Sequence, residues 1–409
     1  MKLVAGNMLW TSIDKIPNKY TYLSDHVECD ALIIGGGISG AITAYYYTKA
    51  GINTVLVDKN IIGYGSTRAS TSILQYEIDT DLLGLIGMKG VDNAVKCFKL
   101  CENAVYEIER IVKEEQFDCD FSLKECFYYT ANSSEISFMR KECEARKEHG
   151  FAVEFLDKES AKERFSFNVE GGIYSNAGAA QINPYRFNRL LISKAVENGL
   201  KVFENTEISN IYPHDNNVSL VTNNDFKITA KKVVIATGYE ARRQIKEKII
   251  NFSRTFTIVT KPVKSFDGWY NKCLIRDYNN PYIYLRTTGD DRIIIGGEDE
   301  KIGGEDSNMS NLSGDNLVST MKYETLQQKL GSLFPLIKDV EIEYKFNGLF
   351  GETKDGLPYI GEYQGHPNCY FTLGYGANGI LYTIIGGQLL RELFLGNRKP
   401  ELELFKFNR

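Results

Sequence analysis

Gly35, Gly37 and Gly40 stand in GxGxxG spacing directly behind the apolar run Asp30-Ala-Leu-Ile-Ile. Glycines so spaced let a backbone approach a pyrophosphate, and a helix opening at Ile38 and Ser39 offers it N–H groups with no partner inside the helix. Asp58 closes the next β-branched run, Asn53-Thr-Val-Leu-Val, where a carboxylate can accept hydrogen bonds from an adenosine ribose, with Lys59 beside it. The chemistry indicated is dinucleotide binding. Two later features favour FAD over a nicotinamide cofactor: a buried strand ending at Ala236-Thr237-Gly238, and Gly374-Tyr-Gly-Ala-Asn-Gly379 opening a second helix. An N-terminus at Gly379 and Ile380 would face the pyrimidine end of an isoalloxazine and stabilise the anion that collects there on reduction.

The elements that position these residues follow from periodicity. Residues 30–58 form one βαβ unit. Val91, Ala94, Val95, Phe98, Cys101, Val105, Ile108 and Val112 recur at helical spacing over 88–115, far from the glycine motif, and begin a second domain. A helix (Arg186–Glu197), a strand (Leu200–Phe203), two alternating stretches (Glu207–Tyr212, Val218–Thr222) and the strand closing at Gly238 return to the first domain. Residues 253–298 are β-rich with turn signals, as expected of an antiparallel sheet. The predicted fold class is therefore α/β: a Rossmann-like FAD-binding domain assembled from discontinuous segments (28–85, 171–245 and 345–409), plus an α+β substrate domain with a mainly antiparallel sheet (86–170 and 246–344). Residues 1–27 form an N-terminal extension.

Composition narrows the function classes. A chain of 409 residues with 43% hydrophobic and 25% charged content exceeds one ordinary core of about 100–200 residues and carries no disorder signature. Lys+Arg 48 against Asp+Glu 53, without like-charge runs, gives no nucleic-acid footprint. No transmembrane segment and no signal peptide are expected, so the location is read as cytoplasmic. Eight scattered cysteines without CxxC spacing read as reduced thiols, and Cys97 and Cys101 as buried packing on a helix stripe; four histidines without clustering predict no metal site. The mixed charges of Lys141–His149 read as a solvated helix face, and most of the 25 tyrosines as core and interface material.

The glycine fingerprint, Gly65-Ser-Thr-Arg-Ala-Ser-Thr-Ser72, the Ala-Thr-Gly strand, Thr353-Lys-Asp-Gly-Leu-Pro-Tyr-Ile-Gly361 and Gly374–Gly379 follow one another in an order that resembles the D-amino-acid oxidase superfamily of flavoproteins, including glycine, sarcosine and γ-glutamylputrescine oxidases. The resemblance covers nearly the whole chain. It implies that Ser66 and Thr67 line the FAD diphosphate and ribityl chain, that Thr71 and Ser72 approach the flavin ring, and that the backbone of Ile208 touches adenine. It also implies that Gly348, Asp355, Gly376, Asn378 and Gly379 enclose the flavin from the other side. Without a cysteine near Gly348–Thr353, the FAD is expected to be noncovalent.

The chain departs from that pattern where glycine-oxidase-like members hold the substrate carboxylate with two arginines: Phe350 and Ala377 stand there instead. Arg286, in Tyr282-Ile-Tyr-Leu-Arg, is the candidate replacement, as a carboxylate fork beside Tyr284 or else as a structural ion pair. Gln75, Tyr76 and Tyr375 are further substrate candidates, Gln75 and Tyr76 equally readable as packing. The expected activity is oxidation of a C–N bond in an amine or amino acid by hydride transfer to flavin N5, with the imine hydrolysed in water and oxygen or another electron acceptor completing the cycle. Two alternatives stand beside it: oxidation of a hydroxy acid or polyol phosphate, disfavoured by the lack of a nearby histidine base, and a noncatalytic or partner-dependent FAD-binding subunit.

Overall fold

The β-branched runs on either side of the glycine motif pair as parallel strands. Residues 3–14, 19–279, 281–302 and 312–409 are described in this computed structural model, and residues 1, 2 and 15–18 of the expected N-terminal extension lie outside them. The chain divides into two units. The glycine unit takes Ile13–Ser70, Pro184–Asn251 and Gly351–Arg409; the sheet unit takes Met1–Ser12, Thr71–Asn183 and Phe252–Phe350. Segments 71–85, 171–183 and 345–350, grouped by sequence with the glycine motif, therefore fall in the sheet unit, because each carries a strand or a strand end hydrogen-bonded into its sheet.

In the glycine unit, strands Cys369–Leu373, Lys227–Ile235, Val27–Ile34, Thr54–Val57 and Lys201–Phe203 lie parallel in that order, with Tyr359–Glu362 antiparallel at one edge. Helix Ile38–Lys49 packs on helices Pro184–Glu197 and Gly379–Phe394, which explains why ten of its twelve residues are buried. Close approach to the last helix needs Gly387, whose added Cβ would lie 2.8 Å from Tyr46. The two alternating stretches form the antiparallel hairpin Ile208–Pro213 and Val218–Thr222.

In the sheet unit, ten strands of the described residues form one sheet, ordered Val4–Gly6, Ile342–Glu352, Asn251–Thr260, Ile293–Lys301, Ile283–Thr287, Leu274–Asp277, Ser122–Thr130, Gly171–Gln181 and Ile73–Gln75, with Val153–Asp157 also on Gly171–Gln181. Leu274–Asp277 runs parallel to Ser122–Thr130, while its pairing with Ile283–Thr287, that of Ile283–Thr287 with Ile293–Lys301 and that of Ser122–Thr130 with Gly171–Gln181 are antiparallel. Strand alternation sorts the side chains. Phe127, Tyr129, Ile275, Ile283, Leu285, Ile293, Ile295, Phe256 and Ile258 share one core with Leu326, Leu330 and Phe334 from helix Leu317–Leu333 and its end. The residues between them in sequence point to the other face, which carries the unit's polar chemistry.

The amphipathic run over 88–115 forms two helices, Leu82–Lys89 and Val91–Glu114, because Gly90 between them sits at φ +79. Cys97 and Cys101 are buried on the second of these, as packing. Lys141–His149 departs from the solvated face expected of it. In helix Ile136–Glu148, Glu142 and Arg146 are 0% exposed, and Arg146 donates to Glu142 and to Glu77, both at 2.8 Å. The two Glu142 oxygens also accept the first amides of helix Leu82–Lys89, from Leu82 and Leu83. Charge composition does not reveal a buried triad, because pairing partners come from distant sequence. No helix of the described residues is long and apolar enough to cross a membrane.

Candidate functional site

In the glycine unit the site is made chiefly of backbone. Gly35 sits at φ +106 and its added Cβ would lie 2.5 Å from the Ala236 carbonyl; at Gly40 it would lie 1.8 Å from the Gly35 carbonyl. The Ala236-Thr237-Gly238 end thus seats directly against the turn, with the Ala236 amide donating to Ile34. Asp58 accepts from the Gly36 amide and from the Asn60 amide, both at 2.7 Å, and burial pushes its carboxyl up. Each oxygen keeps a lone pair for a ribose hydroxyl. The Thr206 amide donates to the Asp58 carbonyl, which brings the Ile208 segment to the same strand end. Lys59 is held by Glu240 at 2.7 Å, so its ammonium ties two strand ends together.

The polar stretch after Asp58 folds as the short helix Ser66–Ala69. The Thr67 hydroxyl accepts the Ile38 amide at 2.9 Å, placing this helix against the start of Ile38–Lys49. Ser66 Oγ and Arg68 Nε are buried without a hydrogen-bond partner among the described residues, and the Arg68 guanidinium stacks 4.8 Å from the Tyr64 ring centroid. Buried polar groups left unmatched by the chain itself mark a place for a ligand. A cation, a hydroxyl, helix amides and an open glycine backbone are a donor set for a diphosphate, so the residues present fit the dinucleotide end of FAD. Arg68 was missed from sequence, although it stands inside the polar stretch singled out there.

Tyr375 and Asp355 serve the fold rather than the roles expected of their side chains. The Tyr375 hydroxyl bonds to Thr372 and to Ser39, which pins the second glycine motif to the first helix. Asp355 receives a two-pronged ion pair from Arg409, Nε and Nη2 each at 2.9 Å. Gly376, at φ +54, and buried Asn378 turn the chain into helix Gly379–Phe394, whose first residues, Gly379 and Ile380, carry no side-chain cap.

In the sheet unit the register sets out the remaining candidates. Tyr128, Arg276, Tyr284, Gly296 and Thr257 stand directly across five neighbouring strands on the face opposite the apolar core. The Tyr284 ring lies over Gly296, where an added Cβ would come within 2.5 Å of it, and its hydroxyl meets Thr255 at 3.4 Å. Asp299 is next along, accepting from Tyr282 at 3.1 Å, with burial raising its carboxyl to about 6. Thr71 and Ser72, the latter at φ +59, and Gly348 belong to this unit.

Arg286 is neither a free fork nor an ion-paired side chain. It is 1% exposed, Nε donates to the Thr287 carbonyl at 2.9 Å, and Nη1 is shared among the carbonyls of Thr71, Ser72 and Ile182 at 2.9–3.0 Å. Burial lowers it to about 9, with Asp120 acting only at longer range. Arg286 therefore shapes the Thr71–Ser72 segment. Tyr76 is core: its ring stacks on Phe151 at 4.9 Å and 5°, and its hydroxyl meets Ser175. Gln75 is buried and accepts from the Cys126 thiol at 3.5 Å.

Comparison with known proteins shows the family and the fold. The profile of the FAD dependent oxidoreductase family, DAO, matches residues 30–393. Gamma-glutamylputrescine oxidoreductase of Escherichia coli is 23% identical over 93% of this chain and 87% of its own length, and glycine oxidase of Bacillus licheniformis 24% over 93% and 97%. The crystal structure of glycine oxidase from Geobacillus kaustophilus superposes with a TM-score of 0.78 at 20% identity, covering 94% of this chain and 99% of that one. With its family matched over nearly the full chain and a glycine unit fitted to the dinucleotide end of FAD, the chain belongs to the DAO family of FAD-dependent oxidoreductases.

Proposed function

We propose that the protein oxidises the carbon next to nitrogen in an amine or amino acid. The observation that carries this reading is the polar row Tyr128–Arg276–Tyr284 on one sheet face, in a chain whose relatives include glycine oxidase and gamma-glutamylputrescine oxidoreductase. FAD, when bound, supplies the hydride acceptor. The chain's part is to position: Gly35–Gly40, Asp58, Ser66, Thr67 and Arg68 hold the dinucleotide end, while Tyr284 and its neighbours orient the substrate. A well-oriented C–H beside a neutral amine needs no strong side-chain base.

Noncovalent attachment of FAD is supported by the cysteines, all eight of which are buried. Burial raises the thiols of Cys29, Cys126, Cys273 and Cys369, so none is activated as a thiolate. The same thiols agree with a reducing compartment such as the cytoplasm. Oxygen or another electron acceptor would complete the cycle.

Product analysis tests the reaction class. Oxidation at C–N followed by imine hydrolysis releases one carbonyl compound and one ammonia or amine for each two electrons removed. Carbonyl formation without released nitrogen would assign the chain to C–O–H oxidation instead.

A further inference from the structure

Beyond the short helix Leu402–Phe405 the chain has no regular structure, yet its side chains are firmly held. The Arg409 side chain is 5% exposed. Its Nε donates to Asp355 Oδ2 and its Nη2 to Asp355 Oδ1, each at 2.9 Å. Nη2 also reaches the Leu357 carbonyl at 2.7 Å, and Nη1 the Lys406 carbonyl at 3.2 Å. The guanidinium lies 3.9 Å from the Tyr359 ring centroid, and Phe407 stacks on that same ring at 5.2 Å. A forked, stacked and enclosed guanidinium fixes an orientation as well as a charge.

What Arg409 holds is the turn Thr353–Leu357. Within it the Thr353 hydroxyl donates to the Leu357 carbonyl at 2.7 Å and the Leu357 amide to Asp355 at 3.2 Å, with Gly356 at φ +72. Asp355 is buried, and a buried carboxylate stripped of its cation must be rehydrated, which moves the turn. The turn is built against the second glycine motif. An added Cβ at Gly374 would lie 2.7 Å from the Thr353 methyl, and the Tyr382 hydroxyl, in the first turn of helix Gly379–Phe394, donates to the Gly356 carbonyl at 3.0 Å. Tyr375 joins that motif to Ser39 in the first turn of helix Ile38–Lys49. Two helix starts are thereby tied together within the glycine unit, and the turn held by Arg409 braces the second of them.

We propose that Arg409 is a positioning residue for FAD: through Asp355 it fixes the Thr353–Leu357 turn and, with it, the start of helix Gly379–Phe394 that receives the flavin end of the cofactor. This concerns cofactor retention and holds for any substrate. FAD-loaded protein is diluted and the free flavin followed by its fluorescence, which gives the Kd of FAD; displacement by ADP, which lacks the flavin, gives the Kd of ADP. Arg409→Gln should raise the Kd of FAD about 10- to 100-fold and leave that of ADP within about twofold, because Gly35–Gly40, Asp58 and Arg68 hold the adenosine and diphosphate end by themselves. Arg409→Lys, a charge without the fork, should recover part of the loss. In the Asp355→Asn background, where no carboxylate is left stranded, Arg409→Gln should cost less than about threefold.

Unchanged FAD affinity in Arg409→Gln would overturn the proposal. A parallel loss of FAD and ADP would overturn it too, since it would mark damage to the whole unit. So would a loss in the Asp355→Asn background as large as in wild type. If Arg409→Gln yields no folded protein, Arg409→Lys decides by the ratio of the two Kd values: a ratio shifted against FAD supports the role, and the wild-type ratio removes it.

Discussion

The glycine unit and the sheet unit arrange their polar groups in opposite ways. The first uses what is missing: at Gly35 and Gly40 an added Cβ would collide with backbone carbonyls at 2.5 and 1.8 Å, and the space kept clear lets main-chain amides approach a diphosphate. The second displays side chains on a sheet face, where Arg276 and Arg286, on neighbouring strands, have different fates. Arg286 is absorbed by carbonyls of its own chain, whereas Arg276 stacks on the Tyr128 ring within the field of Glu77 and Asp81. Residue type alone does not fix what an arginine does; its partners in the fold do.

The largest effect should come from the backbone-built half. Gly40→Val forces a side chain against the Gly35 carbonyl, and the purified protein should retain less than about a tenth of the wild-type flavin per chain, read from absorbance. Retention near the wild-type level would break the claim that close backbone approach builds that site. Next in size is the buried triad. Arg146→Met leaves Glu77 and Glu142 uncompensated and should cost about 3–5 kcal/mol in urea unfolding; a loss under about 1 kcal/mol would return that helix to the surface role its charges suggest.

Arg286→Gln sharpens the contrast between the arginines. It should destabilise the protein by about 2–3 kcal/mol, since buried carbonyls lose their donor, yet leave the preference for a carboxylate over its amide within about twofold. Unchanged stability with loss of that preference would return Arg286 to the carboxylate fork expected from its sequence position. The smallest effect concerns Asp299. Its folded carboxyl titrates near 6, against about 3.9 when unfolded, so the folded chain holds the proton more tightly. Stability therefore falls as pH rises from about 4 to 6 and stays reduced above. Asp299→Asn should remove part of that slope, shared with Asp58, Asp81 and Asp277, whose carboxyls burial also raises, and gain roughly 1 kcal/mol at pH 8.

The backbone-built half was legible in the sequence because its requirement is local: three glycines, a preceding strand and an acid at the next strand end are all neighbours in the chain. The antiparallel sheet was legible as well, through the alternation in Tyr282–Arg286 and Arg292–Gly297. The polar face of that sheet was not. Arg276 sits in a short strand whose meaning comes from register with Tyr128 and Tyr284, and those pairings join segments far apart in sequence. Tyr76, Tyr375 and Asp355 were selected for proximity to motifs, but Phe151, Ser39 and Arg409 claim them, and those partners are likewise distant. Glu142 and Arg146 show the same lesson in reverse, reading as surface and folding as core.

The account's central claim is oxidation at carbon next to nitrogen by an FAD-dependent enzyme, and an anaerobic absorbance titration tests it most directly. FAD-loaded protein is mixed without oxygen with glycine, N-methylglycine, D- and L-amino acids, simple amines, hydroxy acids and a polyol phosphate. The account predicts that the flavin band bleaches with an amine carrying a carboxylate and with no hydroxy acid or polyol phosphate. A band bleached by the hydroxy compounds alone, or by nothing in the panel, would contradict it.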